Sequence, residues 1–208
     1  MILSINPKHP EPRKIAKAVQ VLEQGGVIAY PTGTVIGFGC DLYNKKAIER
    51  VYQIKGMQTS KPLSFLCEDL SNISKYARVP DAAYRIMRRL IPGPYTFILE
   101  ATKEVPRLVL HQRKQVGIRV PDHPVAQALL SAFGKPIIST SAGTNDEVLT
   151  DPAEIAERFK NIDLVLDGGV GGMMPSTVLS FDEDGNITVL REGAGILGDL
   201  LETAGKTA

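Results

Sequence analysis

The sequence has few of the residues from which disulfide frameworks and protein-bound metal sites are built. Its 208 residues include 2 cysteines and 3 histidines. Cys40, Cys67 and the histidines match no disulfide or metal-ligand spacing. We therefore predict that the protein itself holds no metal ion and that its thiols stay reduced.

Long apolar runs are also missing. No stretch approaches the roughly 18 consecutive apolar residues of a membrane-spanning helix, and residues 1–14 lack the basic segment and apolar core of a signal peptide. With 43% hydrophobic and 23% charged residues, the chain can build a sizeable core and remain in solution. We therefore predict a soluble, cytoplasmic protein without a membrane partner.

The chain has no large excess of either charge, since its formal net charge is +1. The charges are nevertheless uneven. Residues 84–120 hold eight Lys or Arg and two acids, whereas residues 144–184 hold ten Asp or Glu and two bases. A basic segment in a neutral chain indicates a polyanionic ligand, either nucleic acid or a phosphorylated small molecule. Solvated faces of opposite sign are the alternative, which applies best to the acidic segment.

Apolar periodicity and turn residues predict alternating helices and strands. The predicted helices cover residues 15–22, 44–56, 80–90, 124–133 and 151–159. The predicted strands cover residues 27–30, 63–67, 116–120, 136–140 and 162–167, with a further strand within 92–101 and an antiparallel hairpin over 176–192. This order predicts one α/β domain over residues 1–208, with a twisted mixed sheet and flanking helices.

The stretch YPTGTVIGFGC, residues 30–40, is rich in glycine, carries two threonine hydroxyls and has almost no charge. Pro31 restricts its own φ angle, and Gly33 permits backbone conformations that other residues avoid. One interpretation is a backbone cradle for an anion, with Thr32 and Thr34 directed into it. The other is a tight hairpin turn. The local pattern favours neither.

Hydroxyl and basic side chains recur where other predicted strands and loops end. They are Lys55, Lys61, Arg119, Ser139, Thr140, Ser141, Ser176 and Arg191. Ligands of open α/β sheets collect at strand ends. Cations and hydroxyls without a His–Ser pair or paired carboxylates favour phosphoryl or nucleotidyl transfer, which depends on charge neutralisation and alignment. We therefore predict a basic cavity at the strand ends that binds an anionic substrate.

Common nucleotide-binding and hydrolase motifs are absent or incomplete. GAGILG, residues 193–198, has dinucleotide-binding spacing, but ten residues follow it, which leaves no room for a second strand and the acid that binds a ribose. We interpret its glycines as packing residues. No phosphate-binding P-loop and no nucleophile elbow occurs.

Seven segments in order, PTGTVIGFG, IKGMQTSKPL, PGPYTFIL, VGIRVPDHP, STSAG, STVLSF and LREG, resemble the YrdC/YciO family over residues 15–193. Its best-characterised members are threonylcarbamoyl-AMP synthases. The resemblance implies a twisted α/β sheet with a large, positively charged cavity. It also implies conversion of L-threonine, bicarbonate and ATP into threonylcarbamoyl-AMP and pyrophosphate, for the t6A modification of adenosine 37 in tRNA. Mg²⁺ would arrive with ATP.

The resemblance also assigns expected roles to individual residues. Lys55 matches the lysine of the lysine-x-arginine motif and is expected to be catalytic. The residues expected to bind threonine are Thr34, Arg119, Ser139 and Ser176. The residues expected to bind ATP are Lys61, Ser141 and Arg191.

The chain departs from the family pattern at four positions. Met57 replaces the motif arginine, Gly143 replaces an asparagine, Gly33 replaces an acid, and Leu66 aligns with a histidine. These departures resemble the YciO branch and leave two functions open. One is synthesis with weak activity, which Met57→Arg should raise and added Gly143→Asn should raise further. The other is binding of double-stranded RNA or tRNA with little or no catalysis, by shape and charge.

Overall fold

The computed structural model describes residues 1–58, 63–110, 114–144, 147–182, 186–196 and 198. The helices are α1 (Pro12–Glu23), α2 (Lys45–Lys55), α3 (Leu70–Tyr76), α4 (Asp81–Leu90), α5 (Pro124–Phe133) and α6 (Pro152–Arg158). The strands are β1 (Ile2–Ser4), β2 (Ile28–Pro31), β3 (Ile36–Gly39), β4 (Ser64–Leu66), β5 (Ala77–Arg78), β6 (Tyr95–Ala101), β7 (Gln115–Arg119), β8 (Ile137–Ser141), β9 (Leu164–Asp167), β10 (Thr177–Phe181) and β11 (Ile187–Arg191). A short 3₁₀ helix covers Arg107–Val109.

The strands form one twisted, mixed sheet in the order β1-β9-β2-β3-β8-β4-β7-β6-β10-β11, and β5 pairs with β6. Strand β8 lies between β3 and β4 and runs antiparallel to both. Strand β10 runs parallel to β6 and antiparallel to β11. The predicted mixed α/β sheet with flanking helices is confirmed.

Helix α2 shows why the predicted helices form where they do. The Asn44 side chain accepts a hydrogen bond from the Ala47 amide at 3.0 Å, which satisfies one of the unpaired amides of the first turn. Gly56 ends the helix at φ 61°, a left-handed conformation in which glycine carries no side-chain penalty. The face formed by Ala47, Ile48, Val51 and Tyr52 is buried, as the periodicity predicts.

The helices cover the two faces of the sheet unequally. Neighbouring residues such as Phe65 and Leu66 belong to different core clusters, because successive side chains of a strand point to opposite faces. Helices α2, α3, α4 and α6 pack on the Phe65 face. Helices α1 and α5 cover part of the Leu66 face. The rest of that face carries hydroxyls and glycines, and there the candidate site lies.

The described residues include neither a membrane-spanning helix nor a cluster of possible metal ligands. None of their helices is long and apolar enough to cross a bilayer. None of their histidine, cysteine or acidic side chains gathers in threes around a possible metal position.

Candidate functional site

The site is a cavity on one face of the sheet, beside α1 and α5. Its floor follows the register of the central strands, in which Ser141 pairs with Gly37, Ser64 with Ser139, and Leu66 with Arg119. Paired residues share a face of the sheet, so residues far apart in sequence meet here. The cavity is lined by Thr32, Thr34, Val35, Gly37, Ser64, Leu66, Thr96, Arg119, Ser139, Thr140, Ser141, Pro175, Ser176 and Arg191.

Glycine keeps the floor open at β3. A Cβ atom on Gly37 would lie 3.0 Å from Thr32 Cγ2 and 3.1 Å from Ser139 Oγ. Any larger residue would therefore push into the two hydroxyl-bearing side chains beside it.

The glycine-rich stretch forms the first wall. Strands β2 and β3 pair as an antiparallel hairpin, and Thr32 and Thr34 of its turn face the cavity. The tight hairpin turn is therefore present, and its hydroxyls also line the cavity. The two interpretations of this stretch left open by the sequence are compatible.

Arg119, at the end of β7, is held by the same turn. Its Nη1 donates to Thr34 Oγ1 at 2.7 Å and its Nη2 to the Thr32 carbonyl at 2.9 Å. Its Nε donates to the Gly93 carbonyl at 2.9 Å. Three bonds in different directions fix the guanidinium plane before any ligand binds. Such a plane suits a carboxylate or phosphate.

Arg119 is buried, with 5% of its surface exposed, and no described carboxylate forms an ion pair with it. Burial lowers the pKa of the guanidinium to about 10, which still leaves it charged at neutral pH. A buried charge held by neutral groups gains most from an anionic ligand.

The directions in which the Thr32 and Thr34 hydroxyls donate can be deduced from the number of protons available. Thr32 Oγ1 donates to the Val35 carbonyl at 2.7 Å and lies 3.2 Å from Thr34 Oγ1. Since a hydroxyl has one proton, Thr34 must be the donor between the two. The Thr34 hydroxyl can rotate to donate to a ligand instead, because Thr32 would then lose one accepted hydrogen bond and keep the one that it donates to Val35.

Ser176 and Arg191 form the opposite wall. The Ser176 carbonyl accepts from Arg191 Nε at 3.1 Å and from Nη2 at 2.8 Å. The Ser176 and Thr96 hydroxyls lie 2.8 Å apart. Arg191 Nη1 has no hydrogen-bond partner among the described residues, and burial lowers the pKa of this guanidinium. This wall offers a second cation to the cavity.

The structure brings most of the predicted site residues together. Six of the eight line the cavity, namely Thr34, Arg119, Ser139, Ser141, Ser176 and Arg191. Lys55 lies behind the wall with 2% of its surface exposed, and its Nζ donates to the Ser141 carbonyl at 2.8 Å. Lys61 lies outside the described residues. The roles expected for these residues stay predictions.

Two departures from the family pattern are built into the backbone. Gly33 has φ 85°, and a Cβ atom there would lie 2.6 Å from the Asp122 carbonyl oxygen. Gly143 has φ 126°, and its Cβ would lie 2.2 Å from the Glu147 carbonyl oxygen. Side chains at both positions are strained. This strain weighs against a gain from Gly143→Asn, and the effect of that substitution on activity stays a prediction.

The other two departures differ in position. Leu66 lines the cavity and also packs with α5 in the core. Met57 is partly buried against the core cluster that includes α2 and does not line the cavity.

Two hydroxyls of the site, those of Ser64 and Thr96, were not predicted from the sequence, whereas Thr32 was one of the two hydroxyls that could face an anion. Thr32 and Thr96 contact predicted residues, and Ser64 pairs with Ser139 in the sheet. Ser64 and Thr96 interrupt otherwise apolar strands, and that interruption was the available signal. Which face such a hydroxyl occupies depends on the strand register, which only the fold supplies.

The cavity has a volume of about 180 Å³, and the described residues that line it include two arginines and no carboxylate. Pockets for drug-sized ligands are about 300–1,000 Å³. The enclosed part therefore suits a small anion, such as an amino acid together with one phosphate. A larger ligand must extend through the mouth.

Comparison with known proteins agrees with this geometry. YciO of Escherichia coli K12, an uncharacterised protein, is 43% identical over 195 residues, which cover 92% of this chain and 94% of YciO. The E. coli YciO crystal structure superposes with a TM-score of 0.90 at 40% identity, over 95% of this chain and 98% of that one.

More distant relatives have a named activity or a bound ligand. The threonylcarbamoyl-AMP synthase of Vibrio vulnificus YJ016 is 35% identical over 76% of this chain and 87% of that protein. P. abyssi Sua5, solved in complex with L-threonine, superposes with a TM-score of 0.91 at 27% identity, over 99% of this chain and 61% of Sua5. Residues 20–193 match the Sua5/YciO/YrdC family, described as "Telomere recombination". With that match spanning every residue that lines the cavity, the chain belongs to the Sua5/YciO/YrdC family.

Proposed function

We propose that this chain is a nucleotidyltransferase of the threonylcarbamoyl-AMP synthase type, acting on L-threonine, bicarbonate and ATP for the t6A modification of tRNA. The observation that carries the proposal is the pair of guanidinium groups, Arg119 and Arg191, on opposite walls of one cavity that no described carboxylate lines. Two separated cations suit two anionic groups, here an amino-acid carboxylate and a nucleotide phosphate.

In this proposal Arg119 holds the threonine carboxylate. The hydrogen bond to Thr34 helps to hold the guanidinium in one plane, and a planar guanidinium can bind both oxygens of a carboxylate. Ser139 and Ser176, which line the same cavity, would take the remaining polar groups of the amino acid.

The chemical step joins carbamate to nucleotide. The threonine nitrogen attacks bicarbonate carbon, and loss of water leaves a carbamate. A carbamate oxygen then attacks the α-phosphorus of ATP, and the bond to the β-phosphate oxygen breaks to release pyrophosphate. No general base is needed for this second step, since the carbamate is already anionic. Arg191, with Lys61 and the Mg²⁺ that accompanies ATP, would neutralise the developing charge.

Lys55 would act through Ser141. Its ammonium group holds the Ser141 carbonyl and so fixes the end of β8 beside the proposed phosphate position. A cation next to this wall also adds to the positive potential of the cavity.

The test is pyrophosphate release by the purified protein with ATP, threonine and bicarbonate. We expect slow release that requires all three substrates. Folded protein that binds ATP and releases no pyrophosphate above background would refute the proposal.

Arg119→Lys keeps the positive charge but removes the planar pair of donors that binds both oxygens of a carboxylate. We expect this variant to raise the KM for threonine more than the KM for ATP.

Binding of double-stranded RNA or tRNA is a second candidate, and α4 is the observation that favours it. Arg85, Arg88 and Arg89 are exposed on this helix, and positions three and four residues apart share a helix face. Contacts to duplex phosphates release counterions, so log affinity should fall with log salt by about 0.9 per phosphate contact. A flat salt dependence would exclude this candidate.

A further inference from the structure

The Ser176–Arg191 wall is supported from behind by a segment that the proposed function does not use. Residues 193–196 begin the GAGILG motif, and they fold back over residues 175–177. The Ala194 amide donates to the Pro175 carbonyl at 2.8 Å. Pro175 and Ser176 both line the cavity, so this segment is attached directly to the wall.

Thr177 is the centre of the attachment. It is 0% exposed. Its Oγ1 accepts from the Gly193 amide at 3.0 Å and from the Gly195 amide at 2.9 Å, and it donates to the Gly195 carbonyl at 2.8 Å. One donated and two accepted bonds use the full capacity of a hydroxyl.

The glycines of the motif are required by close packing. A Cβ atom on Gly193 would lie 2.3 Å from the Pro175 carbonyl oxygen, and one on Gly195 would lie 2.4 Å from Tyr95 Cε1. The Tyr95 hydroxyl donates to the Ile196 carbonyl at 2.8 Å. The spacing that imitates a dinucleotide motif therefore serves to fasten this segment.

We infer that Thr177 is a positioning residue for the anion site at Arg191. Thr177 does not line the cavity. It fixes residues 193–195 against the main chain of residues 175–177, and the Ser176 carbonyl of that main chain orients the guanidinium of Arg191. The inference rests on the proposed function only for the nature of the anion, the polyphosphate of a nucleotide.

The test measures binding of inorganic tripolyphosphate by calorimetry. Thr177→Val keeps the shape of the side chain but leaves the half-buried amide of Gly193 and the buried amide of Gly195 without an acceptor, so the segment must shift. We expect about tenfold weaker binding, and Thr177→Ser should restore it. Thr102→Val is the matched control, because Thr102 Oγ1 also bonds backbone groups, the Lys75 carbonyl at 2.8 Å and the Glu104 amide at 3.3 Å, away from the cavity.

A double-mutant cycle separates positioning from general damage. If Thr177 acts through Arg191, Thr177→Val should cost no further affinity in an Arg191→Ala background. Unchanged binding by Thr177→Val, or an equal tenfold loss in both backgrounds, would overturn the inference, as would wild-type protein that fails to bind tripolyphosphate. Wild-type protein that binds tripolyphosphate but releases no pyrophosphate would refute the proposed function and leave this inference standing.

Discussion

Met57 is the residue at which the chain departs from the family motif without a backbone obstacle. It is partly buried against the core, two positions after Lys55, and an arginine can bury its stem there while its charged end reaches out. A preorganised charge-stabilising donor is worth about 10²–10³ in rate. We expect Met57→Arg to raise steady-state pyrophosphate release with threonine, by up to about 10².

Met57→Gln is the control for that substitution, because it is unbranched, polar and uncharged. If Met57→Gln raises release as much as Met57→Arg, added charge is not the cause. If Met57→Arg gains nothing with threonine, charge loss at this position does not explain weak activity.

Gly143 gives the opposite expectation. Its φ of 126° and the 2.2 Å between its would-be Cβ and the Glu147 carbonyl oxygen exclude a side chain without movement of the loop. Such strain costs about 1–3 kcal/mol. We expect Gly143→Asn to lower Tm by about 2–4 °C per kcal/mol, measured by thermal unfolding. A variant with unchanged Tm would show that the loop rearranges freely. Gly134→Asn, at φ 67° with open space around it, is the control for φ alone.

Helix α5 begins at a histidine that should make its stability depend on pH. His123 Nδ1 accepts from the Val125 amide at 3.2 Å, and burial lowers the pKa of His123, with Arg119 acting in the same direction and Asp122 opposing it. A pKa lowered in the folded state means that the unfolded state binds more protons. The contribution of His123 to the free energy of unfolding is therefore present above the ordinary histidine pKa. It is lost as the pH falls towards the lower pKa that His123 has in the folded state.

We expect the free energy of unfolding to fall between pH 7.5 and pH 5.5, measured by urea titration. His123→Asn should flatten this dependence, since asparagine caps helices without titrating in this range. His9→Asn, at an exposed position, should leave it unchanged. Equal pH dependence in the wild type and in His123→Asn would contradict the assignment.

The elements were predictable where local chemistry specifies them. Asn44 before α2 and Asp151 before α6 accept hydrogen bonds from first-turn amides, at the starts predicted for these helices, and the hairpin of β10 and β11 forms as predicted. Strand β1 was not predicted, because three residues that pair with the distant β9 carry too little local pattern. Helix α3, seven residues long, was missed for the same reason.

The site was predictable in composition but not in arrangement. Hydroxyls and arginines at strand ends identified six of the lining residues. That Lys55 lies behind the wall, and that Gly33 and Gly143 face backbone carbonyls, depends on tertiary packing that no local motif encodes. The sequence does not give the order of strands in the sheet, in which β8 lies between β3 and β4.

At the scale of the whole molecule, the buried Arg119 and the more exposed Arg191, both without described carboxylate partners, should make the fold more stable when an anion binds. A ligand at about 100 times its Kd adds about 2.7 kcal/mol, which corresponds to a rise in Tm of about 5–10 °C. We expect tripolyphosphate at low ionic strength to produce this rise and uncharged adenosine to produce none.

Two variants locate the effect. Arg191→Ala should reduce the rise in Tm, whereas the exposed α4 pair Arg85→Ala with Arg88→Ala should leave it intact. If the α4 variant loses the rise and Arg191→Ala keeps it, the stabilising anion binds at the surface and not in the cavity.

The cavity joins Thr34 to Arg191 across one face of the sheet, and this has a consequence during protein synthesis. Domains begin to fold from their N-terminal part while the ribosome is still translating. A nascent chain whose residue 191 is still inside the exit tunnel has Arg119 but lacks the second wall. Substrate therefore cannot assist the early stages of folding. In a refolding experiment, the rate at which anion binding recovers would report when the last strands join the sheet.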